Sequence, residues 1–172
     1  TVFQIDDYCC LKLAKNTRGI HQNLREIELG TEPNLHLFPK VLNGTDEENG
    51  LRIISEYVLP AKDEDFVQAL GVRFNIIGNF AEYAQHYVHG RDYRSKHAGN
   101  AINQMYEIYE NNDKVIDMFN NIHELAAGYD QVVGDLERLA NWGTCMRDGQ
   151  LTIVVLDSGY SVDVRDKYYR RF

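Results

Sequence analysis

The N-terminal part of the chain carries a strand-like pattern followed by a helix-like one. Residues 2–13 are rich in β-branched, aromatic and cysteine side chains, and Lys12 is the one charge inside the apolar run that ends this segment. Apolar residues then recur at helical spacing from Ile20 to Leu29, and Gly30 is the predicted end of that helix. We therefore expect a strand that leads into a helix.

A second apolar run follows a polar turn. Residues 43–50 are polar and contain glycine, which is typical of a hairpin loop, and the apolar run Leu51–Leu59 follows at once. The pattern predicts an antiparallel hairpin over residues 37–58. Pro60 is expected to end its second strand, because proline lacks the N–H that a strand interior requires.

From Asp63 onward the apolar residues recur with a helical period of about 3.6. Asp63 or Asp65 can cap the first of these helices. The polar and basic residues 90–99 predict a loop, and residues 151–156 form a strongly apolar strand near the end. Predicted helices cover, in order, the region around residues 66–70, then 74–87, 100–109 and 113–127.

Strands come first along this chain, helices second, and one strand region returns near the end. That segregation is typical of the α+β class. We expect a small antiparallel-sheet lobe with one helix over residues 1–60, and a reduced helical lobe over residues 61–172.

Composition narrows the classes of partner. The 172 residues include 18 Lys and Arg against 26 Asp and Glu, a net charge of −8, which argues against nucleic acid because phosphate contacts need a basic surface. No apolar run approaches the roughly 20 residues of a membrane span. Residues 1–8 show no signal-peptide pattern. The expectation is an intracellular protein with no membrane partner.

Two aspartates bracket the last apolar hairpin. Asp135 follows the longest predicted helix, and Asp157 ends the strand over residues 151–156. The segment between them can fold back so that both carboxylates face one cleft. Carboxylates in one cleft suit a nucleotide phosphate with Mg²⁺, since Mg²⁺ prefers hard oxygen ligands.

The charge of Lys12 has a candidate partner in Glu26 on the following helix. Plainer readings of the charged residues stay open. Lys12 can be an edge lysine whose ammonium reaches solvent, Asp135 a helix cap, and residues 157–159 an ordinary turn.

Four short segments follow one another in a characteristic order. They are Cys10-Leu11-Lys12-Leu13-Ala14, Gln22-Asn23-Leu24-Arg25-Glu26, Gly134-Asp135-Leu136-Glu137-Arg138 and Val154-Val155-Leu156-Asp157-Ser158-Gly159. The set resembles the protein-kinase-like superfamily in the compact, divergent form found in bacteriophages. The segments match its strand lysine, its helix glutamate, its catalytic loop and its metal-binding Asp-x-Gly.

The resemblance implies a two-lobed kinase-like fold and an ATP- and Mg²⁺-dependent phosphotransferase encoded by a phage. Lys12 would grip the phosphates, Glu26 would orient Lys12, and Asp135 would position the acceptor hydroxyl. The implied site consists of catalytic Asp135, the cofactor-binding residues Lys12, Glu26, Asp157 and Gly159, and the metal ligands Asp157 and Asn141.

Departures from the family pattern support an alternative function. No glycine-rich loop precedes Lys12, Val133 and Gly134 stand where the family has His and Arg, and Asn141 lies one position beyond the expected metal-binding Asn. The alternative is a catalytically inactive kinase-like domain that serves as a binding module or a virion structural component. Its partner would be a protein or a phage assembly component, in the host cytoplasm or incorporated in a virion.

Overall fold

The computed structural model describes residues 1–32, 35–88, 92–129, 133–156 and 167–168. These residues form five α-helices and two antiparallel three-stranded sheets. The predicted α+β class is confirmed. Among the described helices, none is both long and apolar enough to cross a membrane.

The first sheet is built from β1, β2 and β3, in that order across the sheet. Their bounds are Val2–Gln4, Cys9–Leu13 and Arg52–Glu56. Lys12 lies opposite both Val2 and Ile53, so these side chains share one face of the sheet. Ile53 is 1% exposed, and Lys12 therefore lies on the inner face rather than the solvent face.

Helix α1, Thr17–Thr31, follows β2 directly and begins where the Asn16 side chain accepts the N–H of Gly19 at 2.9 Å. The prediction that Gly30 ends this helix is wrong, because the helix runs past it. A Cβ at Gly30 would lie 2.8 Å from the carbonyl oxygen of Pro39. Gly30 therefore permits a close approach of the following loop.

The predicted hairpin over residues 37–58 is shorter than expected. The pairing is one bridge, Val41 to Ser55, reinforced by the Leu42 N–H donating to the carbonyl of Ile54 at 2.7 Å. The apolar run Leu51–Leu59 is divided between β3 and β4, Leu59–Pro60. Pro60 is the last residue of β4, so the strand region does end at Pro60 as predicted; β4 is an edge strand, where a missing N–H costs little.

The second sheet has the order β4, β5 and β6. Strands β5, Trp142–Arg147, and β6, Gln150–Val155, are joined by Asp148 and Gly149, whose φ values are 50° and 77°. Positive φ at both turn residues is the type I′ geometry that matches strand twist.

Four more helices form the rest of the described structure. They are α2, Asp63–Leu70; α3, Phe74–Val88; α4, Asp92–Tyr109; and α5, Asp113–Gly128. The core they share is aromatic: Phe80 stacks on Phe119 with ring centroids 4.0 Å apart, and Phe66 meets Trp142 edge to face. All four rings are fully buried.

Two helix starts differ from the predictions. Residues 92–99 begin α4 rather than forming a loop, since Ala98 and Ile102 place an apolar face inward, with 4% and 5% exposure. Lys62 is the N-cap of α2, and Asp65 acts from inside the helix by accepting the Lys62 N–H at 2.7 Å.

A buried ion pair joins the two sheets. Arg147 on β5 donates to Glu56 on β3 at 2.6 Å, and its side chain is 12% exposed. The same guanidinium donates to the carbonyls of His36 and Phe38 at 2.7 and 2.6 Å. Burial by itself raises the pKa of Glu56, but the hydrogen bonds from Arg147 and the Lys40 amide outweigh burial and hold that pKa below its ordinary value.

We expect Arg147→Met to lower the free energy of unfolding by about 3–5 kcal/mol, because it leaves the Glu56 carboxylate buried without its charge partner. Urea denaturation at pH 7 measures the change. Arg73→Met is the control: its ion pair with Asp63 is 3.6 Å long and the arginine is 77% exposed, so the cost stays within about 0.5 kcal/mol.

The same pair predicts an acid dependence of stability. A carboxylate with a lowered folded-state pKa stabilises the fold fully above the unfolded Glu pKa of about 4.3 and loses that contribution as pH falls through the folded pKa. Urea midpoints of the wild type should therefore drop below that pH more steeply than those of Glu56→Gln, which cannot ionise. Parallel curves for the two proteins would contradict the assignment.

Candidate functional site

The charged pair proposed from the sequence is present. Lys12 Nζ lies 2.5 Å from Glu26 Oε2, and the two side chains are 24% and 13% exposed. Strand β2 presents Lys12 on the inner face of the first sheet, and α1 carries Glu26 to it. The reading of Lys12 as an edge lysine reaching into solvent does not fit this geometry.

A pocket of about 400 Å³ opens beside the pair. Its wall includes the end of β2, the first turns of α1 and the residue that follows β6. The pocket lining includes the charged or polar residues Lys12, Lys15, Arg18, Asn23 and Glu26, together with the apolar Leu156.

Sequence reasoning missed two of the pocket's cations, Lys15 and Arg18. The signal was available, because Lys12, Lys15 and Arg18 recur at every third position in a chain whose net charge is −8. They gather around the start of α1, where the helix dipole adds positive potential. The pocket is suited electrostatically to an anion.

Asp135 and Asn141 are not among the residues that line this pocket, and two hydrogen bonds link their segment to it. Asp135 lies in a short 3₁₀ helix, Val133–Glu137, and its carbonyl accepts the Asn141 side-chain amide at 2.7 Å. The Asn141 carbonyl in turn accepts the Leu156 N–H at 2.8 Å. Asn141 thus stands between Asp135 and a residue that lines the pocket.

The contact with Asp135 fixes the orientation of the Asn141 side-chain amide. Its Nδ2 donates to the Asp135 carbonyl, so Oδ1 is the amide atom that remains for another partner. The Asp135 carboxylate is 37% exposed, with Arg138 at 4.0 Å. A partly exposed carboxylate can be approached by a substrate, and its position in the first turn of the 3₁₀ helix also fits a capping role.

Trp142 supports the Asp135 segment through a hydrogen bond to its backbone. Its ring is fully buried and its Nε1 donates to the carbonyl of Leu136 at 2.8 Å. A buried indole that meets its hydrogen-bond requirement on this loop holds the backbone next to Asp135 in one conformation.

Asp157 and Gly159 lie outside the described residues. Leu156, which follows β6 and directly precedes Asp157, is described and lines the pocket. Within the described residues, no group of three His, Cys, Asp or Glu side chains is placed to hold a metal ion.

Comparison with protein-family models, with curated proteins and with solved structures finds no match to this chain. The functional argument therefore depends on the site itself.

We expect Lys12 and Glu26 to be coupled energetically. In a double-mutant cycle of Lys12→Met and Glu26→Gln, followed by urea denaturation, the coupling energy should be about 1–2 kcal/mol because both side chains are mostly buried. The exposed pair Arg73 and Asp63 is the matched control, and Arg73→Met with Asp63→Asn should couple by less than about 0.5 kcal/mol. Equal coupling in the two cycles would contradict a buried pair.

Proposed function

We propose that this chain is an ATP- and Mg²⁺-dependent phosphotransferase of the kinase-like type, encoded by a phage and active in the host cytoplasm. The supporting observation is that the Lys12–Glu26 ion pair lines a cationic pocket whose wall includes Leu156, the residue that precedes Asp157. Among the functions considered, binding of a nucleotide phosphate best accounts for a lysine that is paired with a glutamate inside a cation-rich pocket of an acidic chain.

The pocket's charges suit a polyphosphate. Glu26 fixes the Lys12 ammonium toward the pocket, so that the lysine is preorganised as a point cation for phosphate oxygens. Lys15 and Arg18 add positive charge at the same opening. Asn141 Oδ1 and the Asp157 carboxylate are the oxygen ligands that would hold Mg²⁺, whose charge would neutralise the transferred phosphoryl group.

Asp135 would position the acceptor. Its exposed carboxylate can accept the proton of a substrate hydroxyl while the hydroxyl oxygen forms a bond to phosphorus and the bond from phosphorus to the ADP oxygen breaks. The side-chain amide of Asn141, a proposed Mg²⁺ ligand, donates to the Asp135 carbonyl and so links the proposed catalytic and metal-binding residues.

Calorimetry with ATP and Mg²⁺ tests the binding half of the proposal. We expect wild-type protein to bind, and Lys12→Met and Asp157→Ala each to weaken binding by about tenfold or more. The control is Asp117→Ala, which removes an exposed carboxylate on α5 and should leave affinity unchanged. No heat of binding at millimolar ATP with Mg²⁺ would reject the proposal.

Transfer of labelled γ-phosphate tests the chemical half. Asp135→Asn should reduce transfer, to the chain itself or to a protein acceptor, by about 10²–10⁴-fold, because the proton acceptor is lost. Its ATP affinity should remain near that of the wild type, since Asp135 would contact the acceptor and not the nucleotide. Equal transfer by the variant and the wild type would remove Asp135 from the mechanism.

The second candidate function is a catalytically inactive domain that binds a protein partner or forms part of a virion. A specific feature favours it: the face of the first sheet opposite Lys12 presents Phe3 and Leu13, which are 50% and 38% exposed. A fold that is stable without nucleotide, together with absent ATP binding, would select this candidate. Retained binding with transfer that depends on Asp135 would exclude it.

A further inference from the structure

Helix α1 is attached to the protein by buried apolar side chains and by several hydrogen bonds. Of its fifteen residues, Asn23, Ile27 and Leu29 are the buried ones. Asn23 donates to the carbonyl of Gly50 at 2.8 Å, and His21 Nδ1 lies 2.7 Å from the Tyr168 hydroxyl. Ile27 and Leu29 supply the apolar part of this attachment, and the hydrogen bonds add fixed points along the helix.

Arg25 connects α1 to Tyr129, 104 residues further along the chain. One guanidinium nitrogen donates to Glu28 at 2.7 Å, and the other donates to the carbonyl of Tyr129. The Arg25 guanidinium carbon also lies 6.0 Å from the centroid of the Tyr129 ring. The side chain is 14% exposed, so this is an inward-facing arginine.

Tyr129 is the C-cap of α5, and the last turn of α5 contains no basic residue. The carbonyl end of a helix carries partial negative charge and favours a cation. Arg25 supplies that cation from another element. It therefore ties α1, which carries Glu26, to the end of the helix that leads toward Asp135.

One nitrogen of the Arg25 guanidinium is buried without a hydrogen bond. This nitrogen, Nε, has no hydrogen-bond partner in the described part of the structure. A buried donor without a partner costs free energy, so the bonds of the other two nitrogens to Glu28 and Tyr129 are what hold the side chain in place.

We propose that Arg25 is a positioning residue, which holds α1 against the end of α5 and so sets the Lys12–Glu26 pair relative to the Asp135 segment. Glu26 is its neighbour in sequence, so a shift of α1 at Arg25 moves Glu26 directly. The consequence for nucleotide binding rests on the function proposed above. The role of Arg25 in holding α1 does not depend on that function.

Two readouts without nucleotide test the positioning. In Arg25→Met, the amides of α1 should exchange with deuterium about tenfold faster, while those in the cores of α3 and α5 are unchanged. Acylation of Lys12, followed by mass spectrometry, should speed up about threefold relative to exposed Lys62, because displaced Glu26 no longer holds the ammonium.

Arg25→Lys keeps the test decisive if the methionine variant does not fold. A lysine retains the charge but cannot hold Glu28 and Tyr129 together, so it should change both readouts in the same direction by a smaller factor. The control is Arg52→Met, an exposed arginine that also donates to a backbone carbonyl, that of Gly44. It should change neither readout.

Unchanged α1 exchange and Lys12 labelling in a folded Arg25 variant would overturn the proposal. So would equal loss of protection in every helix, which indicates general destabilisation.

Calorimetry completes the test: where wild-type protein binds ATP with Mg²⁺, Arg25→Met should bind about tenfold more weakly. Wild-type affinity in a variant with a displaced α1 would overturn the link to the site. Absence of wild-type binding would reject the proposed function, and the labelling would still decide the role of Arg25.

Discussion

The ion pair between Glu56 and Arg147 is the interaction on which the relation of the two sheets depends. Glu56 ends β3 of the first sheet and Arg147 ends β5 of the second, and the arginine also holds the carbonyls of His36 and Phe38. Charges taken from water are stable only when every donor finds a geometrically good acceptor. Each of the three guanidinium nitrogens of Arg147 has an acceptor, and the network fixes the first sheet, the intervening loop and the β5–β6 hairpin together.

The attachment of the two sheets to one another determines which residues can line the pocket together. The first sheet brings Lys12, and the β5–β6 hairpin brings Leu156 at the opposite end of its second strand from the turn. A change in the angle between the sheets would separate these residues even if each sheet kept its own structure. Helix α1 depends on both apolar and polar contacts, because Ile27 and Leu29 are buried while Arg25 reaches outside the first sheet to the carbonyl of Tyr129.

Several features could be predicted from the sequence because each depends on local physics. Strand-like and helical spacing gave the α+β class, and the order of strand and helix brought Lys12 and Glu26 within reach of one another. The long apolar face of α5 predicted that helix almost to the residue. The basic stretch before residue 100 was misread as a loop, because its charged residues hide the inward-facing Ala98.

The sequence by itself determined the class, most of the helices and the identity of the lysine and its partner, since periodicity reports which face of an element is buried. The tertiary structure alone decided that Arg147 is buried with Glu56 and that Arg25 caps α5. The sequence does not distinguish an arginine that becomes buried from one that stays on the surface, and the partners of both arginines lie far along the chain. It also decided that Lys15 and Arg18 join Lys12 at one opening, because a pocket exists only once β2, α1 and the end of β6 are packed together.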